Sequence, residues 1–185
     1  FGDNKVLGFV PTGDGTHNAG TNVMEDQAGN DIGAVTAYNL IDEWPSEATD
    51  YLAQNANGVG NYAEVTFDDT AETTIWDVHG YLAYTSSTTG TNTGITRVKQ
   101  ANESGIDFIF NGDMSDGSTT NHFYKSKKLL RPDGGWTQSI LNGVKVECGG
   151  ANAIPGNPYW LGVLLQVAVP VSAGGRTTKN TRAFP

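Results

Sequence analysis

A chain of 185 residues is long enough to bury one substantial core. Its 20 acidic and 11 basic residues leave a net charge of −9, which excludes a broad nucleic-acid surface built on clustered Lys and Arg. With one cysteine, Cys148, there is no internal disulfide framework and no CxxC pair, and no apolar run reaches the length of a membrane helix.

Composition narrows the fold. Hydrophobic residues are 37% of the chain and glycines number 24, with many Thr and Asn, which favours short strands joined by turns over helices. From the N-terminus, Lys5 to Val10 is a short apolar strand stopped by Pro11. Residues 12 to 33 are rich in Gly, Asn, Asp and Thr and read as a long exposed loop. The apolar run Ala34 to Ile41 follows and ends in Asp42-Glu43-Trp44-Pro45, where Pro45 pushes Trp44 into an extended conformation.

A dense array of strands comes next. Asn61 to Phe67 alternates, with Ala63, Val65 and Phe67 on one face. Ile75 to Tyr84 is the central element: Trp76, Val78, Leu82 and Tyr84 share a core face, and Asp77, His79 and Tyr81 share the other. Gly80 lies on the core face with nothing to pack, which predicts a bulge or a close neighbouring backbone. Ile95 to Lys99 and Ile106 to Phe110 are further strands, and His122-Phe123-Tyr124 leads into a basic run, Lys125 to Arg131, read as a solvated edge or assembly contact.

Trp136 to Gly143 is the one helical spot, with Thr137 as cap and Asn142-Gly143 as its end. Val144, Val146 and Cys148 then alternate with Lys145 and Glu147 as a half-buried strand, which makes Cys148 a buried, unreactive thiol. Tyr159 to Val169 is the longest apolar run and reads as a central strand. After Pro170 the sequence turns polar and basic. The predicted fold is all-β: an antiparallel β-sandwich, most simply a jelly roll, spanning residues 1–170, with 171–185 as an extended C-terminal arm.

The order of the segments Val6 to Gly15, Tyr38 to Pro45, Thr49 to Leu52 and Trp136 to Val146 resembles a group of tailed-bacteriophage virion proteins. These share a "VDE-x-P … DY" segment and a "WT … N … G-V-x-V" segment. Trp44 stands where that pattern usually has a small residue. The resemblance implies a structural role in the particle, as a decoration, fibre or tail component on the exposed surface of the virion, and it implies no catalytic residues. The expected partners are other copies of the chain and other virion proteins, with no nucleic acid and no membrane. The segments expected to carry assembly contacts include Phe9, Arg176, Lys179, Arg182 and Phe184.

Motif chemistry is sparse. No nucleophile elbow, P-loop, dinucleotide fingerprint, HExxH or EF-hand pattern occurs, and His17, His79 and His122 have no metal-ligand spacing. No cofactor is expected. Calcium remains an option at the oxygen-rich stretches Asp26 to Asp31, Asp68-Asp69 and Asn111 to Asp116, although Asp and Asn favour such turns for local reasons. A glycosidase would need two carboxylates on the sandwich, with Glu64, Asp77 and Glu147 as candidates. The expectation is a non-enzyme. The functional rival to assembly is recognition of host-surface glycan by stacking on Trp44 or Trp136, while Trp76 and Trp160, in apolar strands, read as core.

Overall fold

The computed structural model describes residues 4–17, 24–32, 35–44, 50–54, 61–86, 93–100, 106–114, 122–149 and 158–171. Eleven strands occupy most of them: β1 (Asn4–Phe9), β2 (Pro11–Asp14), β3 (Met24–Glu25), β4 (Leu52–Gln54), β5 (Tyr62–Phe67), β6 (Asp77–Ser86), β7 (Thr93–Lys99), β8 (Ile106–Asp113), β9 (Phe123–Lys128), β10 (Lys145–Gly149) and β11 (Pro158–Pro170). A 3-10 turn (Ala37–Leu40) and one short helix, α1 (Gln138–Asn142), complete the described elements.

The strands form two antiparallel sheets. Sheet A runs β3-β4-β11-β6-β9, with β1 also paired to β11, and sheet B runs β2-β5-β10-β7-β8. Counting β4 to β11 as eight consecutive strands, the first, eighth, third and sixth lie in sheet A. The second, seventh, fourth and fifth lie in sheet B. That order is two interlocked Greek keys, so the sandwich is a jelly roll.

β11 is the spine of sheet A, and its alternation explains why. Val163, Leu165, Val167 and Val169 face inward and are buried, so one strand supplies apolar side chains along the whole length of the core. On one side it pairs with β6 from Pro158 to Ala168. On the other it pairs with β4 at Tyr159–Trp160 and with β1 from Leu165 to Pro170, and between them the Val163 N–H donates to the Ile41 carbonyl. Residues 37–41 of the apolar run therefore form a short turn that closes the gap between β4 and β1 beside β11. Ile41 is fully buried there.

Local chemistry fixes the remaining corners. Thr137 caps α1, its hydroxyl accepting from the Ile140 N–H at 3.2 Å, as the sequence predicts. Asn142 reaches the loop before β6: its Oδ1 accepts from the Thr70 N–H at 2.9 Å and its Nδ2 donates to the Thr70 carbonyl. Gln138 donates to the same carbonyl at 2.7 Å. The loop is thereby fastened to the helix by three side-chain hydrogen bonds.

Several expectations need correction. Residues 12–33 are not one loop, because Pro11–Asp14 pairs with β5 and Met24–Glu25 pairs with β4. Gly80 marks neither a bulge nor a close backbone. A Cβ there would meet the Ile109 side chain at 2.5 Å, so sheet B fills the space that glycine leaves. The tryptophans exchange roles: Trp136 is 5% exposed and belongs to the core, whereas Trp76 lies just before β6 and is 39% exposed. Phe9, expected at an assembly contact, is half-buried and packs with Leu7 against the core. The basic run is a solvated edge as expected, since Lys125, Lys127 and Lys128 are exposed on β9 at the edge of sheet A.

Candidate functional site

The outer face of sheet A carries rows of side chains that the register aligns across strands. Nearest the β1 terminus, Val6, Ala168 and Asp77 stand side by side. Gly8, Gln166, His79 and Lys128 form the next row, followed by Leu164, Tyr81 and Ser126, and then by Gly162, Ala83 and Tyr124. Tyr159 follows, beside Ala53 of β4.

Trp44 joins this face from the loop after the 3-10 turn. Its ring packs edge-on against Tyr81 (centroids 6.0 Å apart, 64° between planes) and Tyr124 (5.7 Å, 81°). Perpendicular packing suits the opposed charge of ring edges and faces and fixes the ring orientations. Trp44 and Tyr81 are half-buried, and Tyr124 is 52% exposed. Further along, Tyr51 and Tyr159 pack at 4.4 Å, also half-buried. Five aromatic rings thus share the outer side of one sheet. Polar groups flank them: Ser126 opposite Tyr81, His79 opposite Lys128, and Gln166 opposite His79. Lys128 also pairs with Asp77 at 2.6 Å.

The outer face of sheet B is built differently. Glu64, Glu147 and Arg97 lie directly opposite one another on β5, β10 and β7. Both glutamates are 1% exposed. Glu64 accepts from Lys145 at 2.7 Å, from Lys99 at 3.3 Å and from the Thr16 N–H at 2.8 Å. Glu147 pairs with Arg97 and lies 3.4 Å from Lys99, and the Arg97 guanidinium covers the Tyr62 ring at 4.6 Å. Burial alone would raise the Glu64 carboxyl, but the Lys145, Thr16 and Lys99 hydrogen bonds outweigh it and hold the group below its ordinary value.

Those pairings decide what the carboxylates can do. Glu64 stays ionised at neutral pH and has no proton to deliver. Asp77 lies on the other sheet, so it cannot join either glutamate as a catalytic pair. The Glu64–Glu147 network is an ion-pair lattice that ties β5, β10 and β7 together. It also latches the segment after β2, where the His17 ring nitrogen accepts from the Glu64 N–H at 3.1 Å and the Gly15 N–H donates to the Glu64 carbonyl at 2.7 Å.

The oxygen-rich stretch Asp26 to Asp31 also has internal partners. The Asp26 carboxylate accepts from the Ala28 and Asn30 N–H groups and from the Asn30 side chain, each at 2.8 Å. That is the Asx-turn use of an aspartate. Among the described residues no group of three or more His, Cys, Asp or Glu side chains is gathered as a metal site would require. Arg176, Lys179, Arg182 and Phe184 lie outside the described residues.

Sequence reasoning found Trp44 and missed its partners. Tyr81 was legible as outward-facing on β6, but Tyr124 belonged to a segment not read as a strand, so its face was unassigned.

No protein-family model matches the sequence, and no curated protein does. Among solved structures, a xylan-binding module CBM15 is similar with a TM-score of 0.43 and 12% identity, covering 90% of this chain and 97% of the module. At that score the likeness carries no argument about function.

Proposed function

We propose that this chain is a non-catalytic carbohydrate-binding module that engages glycan on the outer face of sheet A. The observation that carries the reading is the Trp44–Tyr81–Tyr124 cluster. Three large rings are held in fixed orientation on a solvent-facing sheet, where burial would normally claim them. Aromatic faces bind the apolar side of a sugar ring, and nearby side chains such as Ser126, His79 and Gln166 supply hydrogen bonds to its hydroxyls. A sheet holds such groups rigidly, so little ordering entropy is lost on binding. The departure of Trp44 from the phage-protein pattern fits this reading, because that position supplies the central ring. Titration of the full chain with soluble oligosaccharides, followed by tryptophan fluorescence, tests it: a saturable change that disappears in Trp44→Ala supports the module, and no change with any sugar class opposes it.

A second reading is a component of a tailed-phage particle, and it is compatible with the first. It is favoured by the resemblance in segment order, whose residues fall at holding points of the fold: Ile41 on β11, Tyr51 on Tyr159, and Thr137 and Asn142 at α1. Mass spectrometry of purified particles tests it, since such a component is present in many copies and a free secreted module is not.

A further inference from the structure

The 3-10 turn that leads the chain toward Trp44 is held from the opposite sheet. A turn of this kind leaves its first backbone N–H groups without partners of their own, and the local cap residue, Thr36, makes no side-chain hydrogen bond to them. Asp14, 23 residues before Ala37, takes that place. Its Oδ1 accepts from the Tyr38 N–H at 2.9 Å and its Oδ2 from the Ala37 N–H at 3.3 Å. Ala37 is fully buried, so water is a poor substitute for that oxygen.

Asp14 is itself fixed. It closes β2 opposite Val65 of β5, and the next residue, Gly15, donates its N–H to the Glu64 carbonyl at 2.7 Å. The Thr16 N–H donates to the Glu64 carboxylate at 2.8 Å. His17, which accepts from the Glu64 N–H, brings its Nε2 to 3.6 Å from Asp14 Oδ2. The exit of the turn is held as firmly: the Ile41 N–H donates to the Tyr38 carbonyl and the Ile41 carbonyl accepts from the Val163 N–H, each at 3.1 Å. Trp44 follows three residues later and packs on Tyr81 of β6 and Tyr124 of β9.

We propose that Asp14 is a positioning residue for the aromatic cluster: from sheet B it sets the turn whose exit delivers Trp44 to the outer face of sheet A. One carboxylate on a paired strand end makes two charge-assisted hydrogen bonds to the turn, which fixes the turn's orientation as well as its place. The direction in which Asp42, Glu43 and Trp44 leave Ile41 depends on that orientation. A binding surface is only as exact as the groups that support it. The placement of Trp44 needs no ligand; its consequence for sugar affinity rests on the glycan-binding reading.

Near-ultraviolet circular dichroism of the full chain without sugar tests the placement, because the difference between the parent and Trp44→Ala is the signal of the Trp44 cluster. Asp14→Ala is expected to lose most of that signal while its far-ultraviolet spectrum keeps the β form. Adding Trp44→Ala to it then changes little further, the non-additivity of coupled sites. Asp14→Asn, which keeps one acceptor oxygen for the Tyr38 N–H, restores part of the signal. Thr137→Ala removes a cap from α1 instead and leaves the signal whole. A glycan array reads the consequence: binding lost in Asp14→Ala as in Trp44→Ala, and partly recovered in Asp14→Asn. A folded Asp14→Ala with an intact Trp44 signal overturns the proposal, since packing on Tyr81 and Tyr124 then suffices. If Asp14→Ala does not fold, Asp14→Asn decides: a reduced Trp44 signal supports the proposal and an undiminished one overturns it. Loss of the Trp44 signal in a chain that binds no sugar sinks the glycan reading and leaves the positioning role standing.

Discussion

The Trp160 indole N–H donates to the Thr96 hydroxyl at 2.9 Å, joining β11 of one sheet to β7 of the other through the core. Both residues are fully buried, so neither group has water as a substitute partner. Thr96→Val keeps the shape and removes the acceptor. It is expected to destabilise the fold by about 2 kcal/mol, the cost of leaving a buried donor unpaired, measured by urea denaturation with an unchanged m-value.

Core space gives a second test. The absent side chain at Gly80 is replaced by Ile109, and adding one methyl forces that residue to move. Gly80→Ala is expected to cost about 1–3 kcal/mol through overpacking. The double variant Gly80→Ala with Ile109→Val recovers part of that loss, measured by the same unfolding assay.

Acid stability follows from two carboxylates. Glu64 lies below its ordinary 4.5, since its hydrogen bonds to Lys145, Thr16 and Lys99 outweigh burial. Asp107 lies below its ordinary 3.8, since Lys127 and the Leu130 and Phe108 N–H groups outweigh burial there. A carboxyl whose value falls on folding adds stability above its unfolded value, and that stability is lost as pH drops through the folded value. Stability should therefore decline below about pH 4.5. Glu64→Gln and Asp107→Asn, less stable at neutral pH, should show a shallower decline, measured as thermal midpoint against pH.

Cys148 provides a reporter of unfolding. Full burial raises its thiol far above the ordinary range and away from the reactive thiolate. The native chain is expected to resist thiol reagents, with labelling rising only with denaturant and in step with loss of β structure by circular dichroism. Rapid labelling of the native chain would contradict its placement in the core.

The sandwich was legible because alternation is written into the strands. Val65, Val146 and Val98 face inward while Glu64, Glu147 and Arg97 face outward, and such a pattern survives without knowledge of partners. What escaped depended on tertiary position. Trp76 has the parity of a core residue but precedes the start of β6, and parity loses meaning where a strand ends. Trp136 lies among turn residues, yet the chain folds it inward. Lys125, Lys127 and Lys128 read as a solvated edge and form an edge strand, because such strands take lysine to discourage pairing with other chains. For the candidate site, Trp44 stood out beside Pro45. Its meeting with Tyr81 and Tyr124 joins three segments that only the strand register brings together.

Sugar binding by the outer face of sheet A is best tested with a glycan array probed with the full chain and with Trp44→Ala and Tyr124→Ala, circular dichroism confirming that each variant is folded. The expected result is binding to at least one glycan class, weakened about tenfold or more by each substitution, as for an aromatic anchor worth over about 1.4 kcal/mol, and unchanged by Thr137→Ser at the helix cap. Absence of binding to any glycan, or binding that both substitutions leave intact, would contradict it.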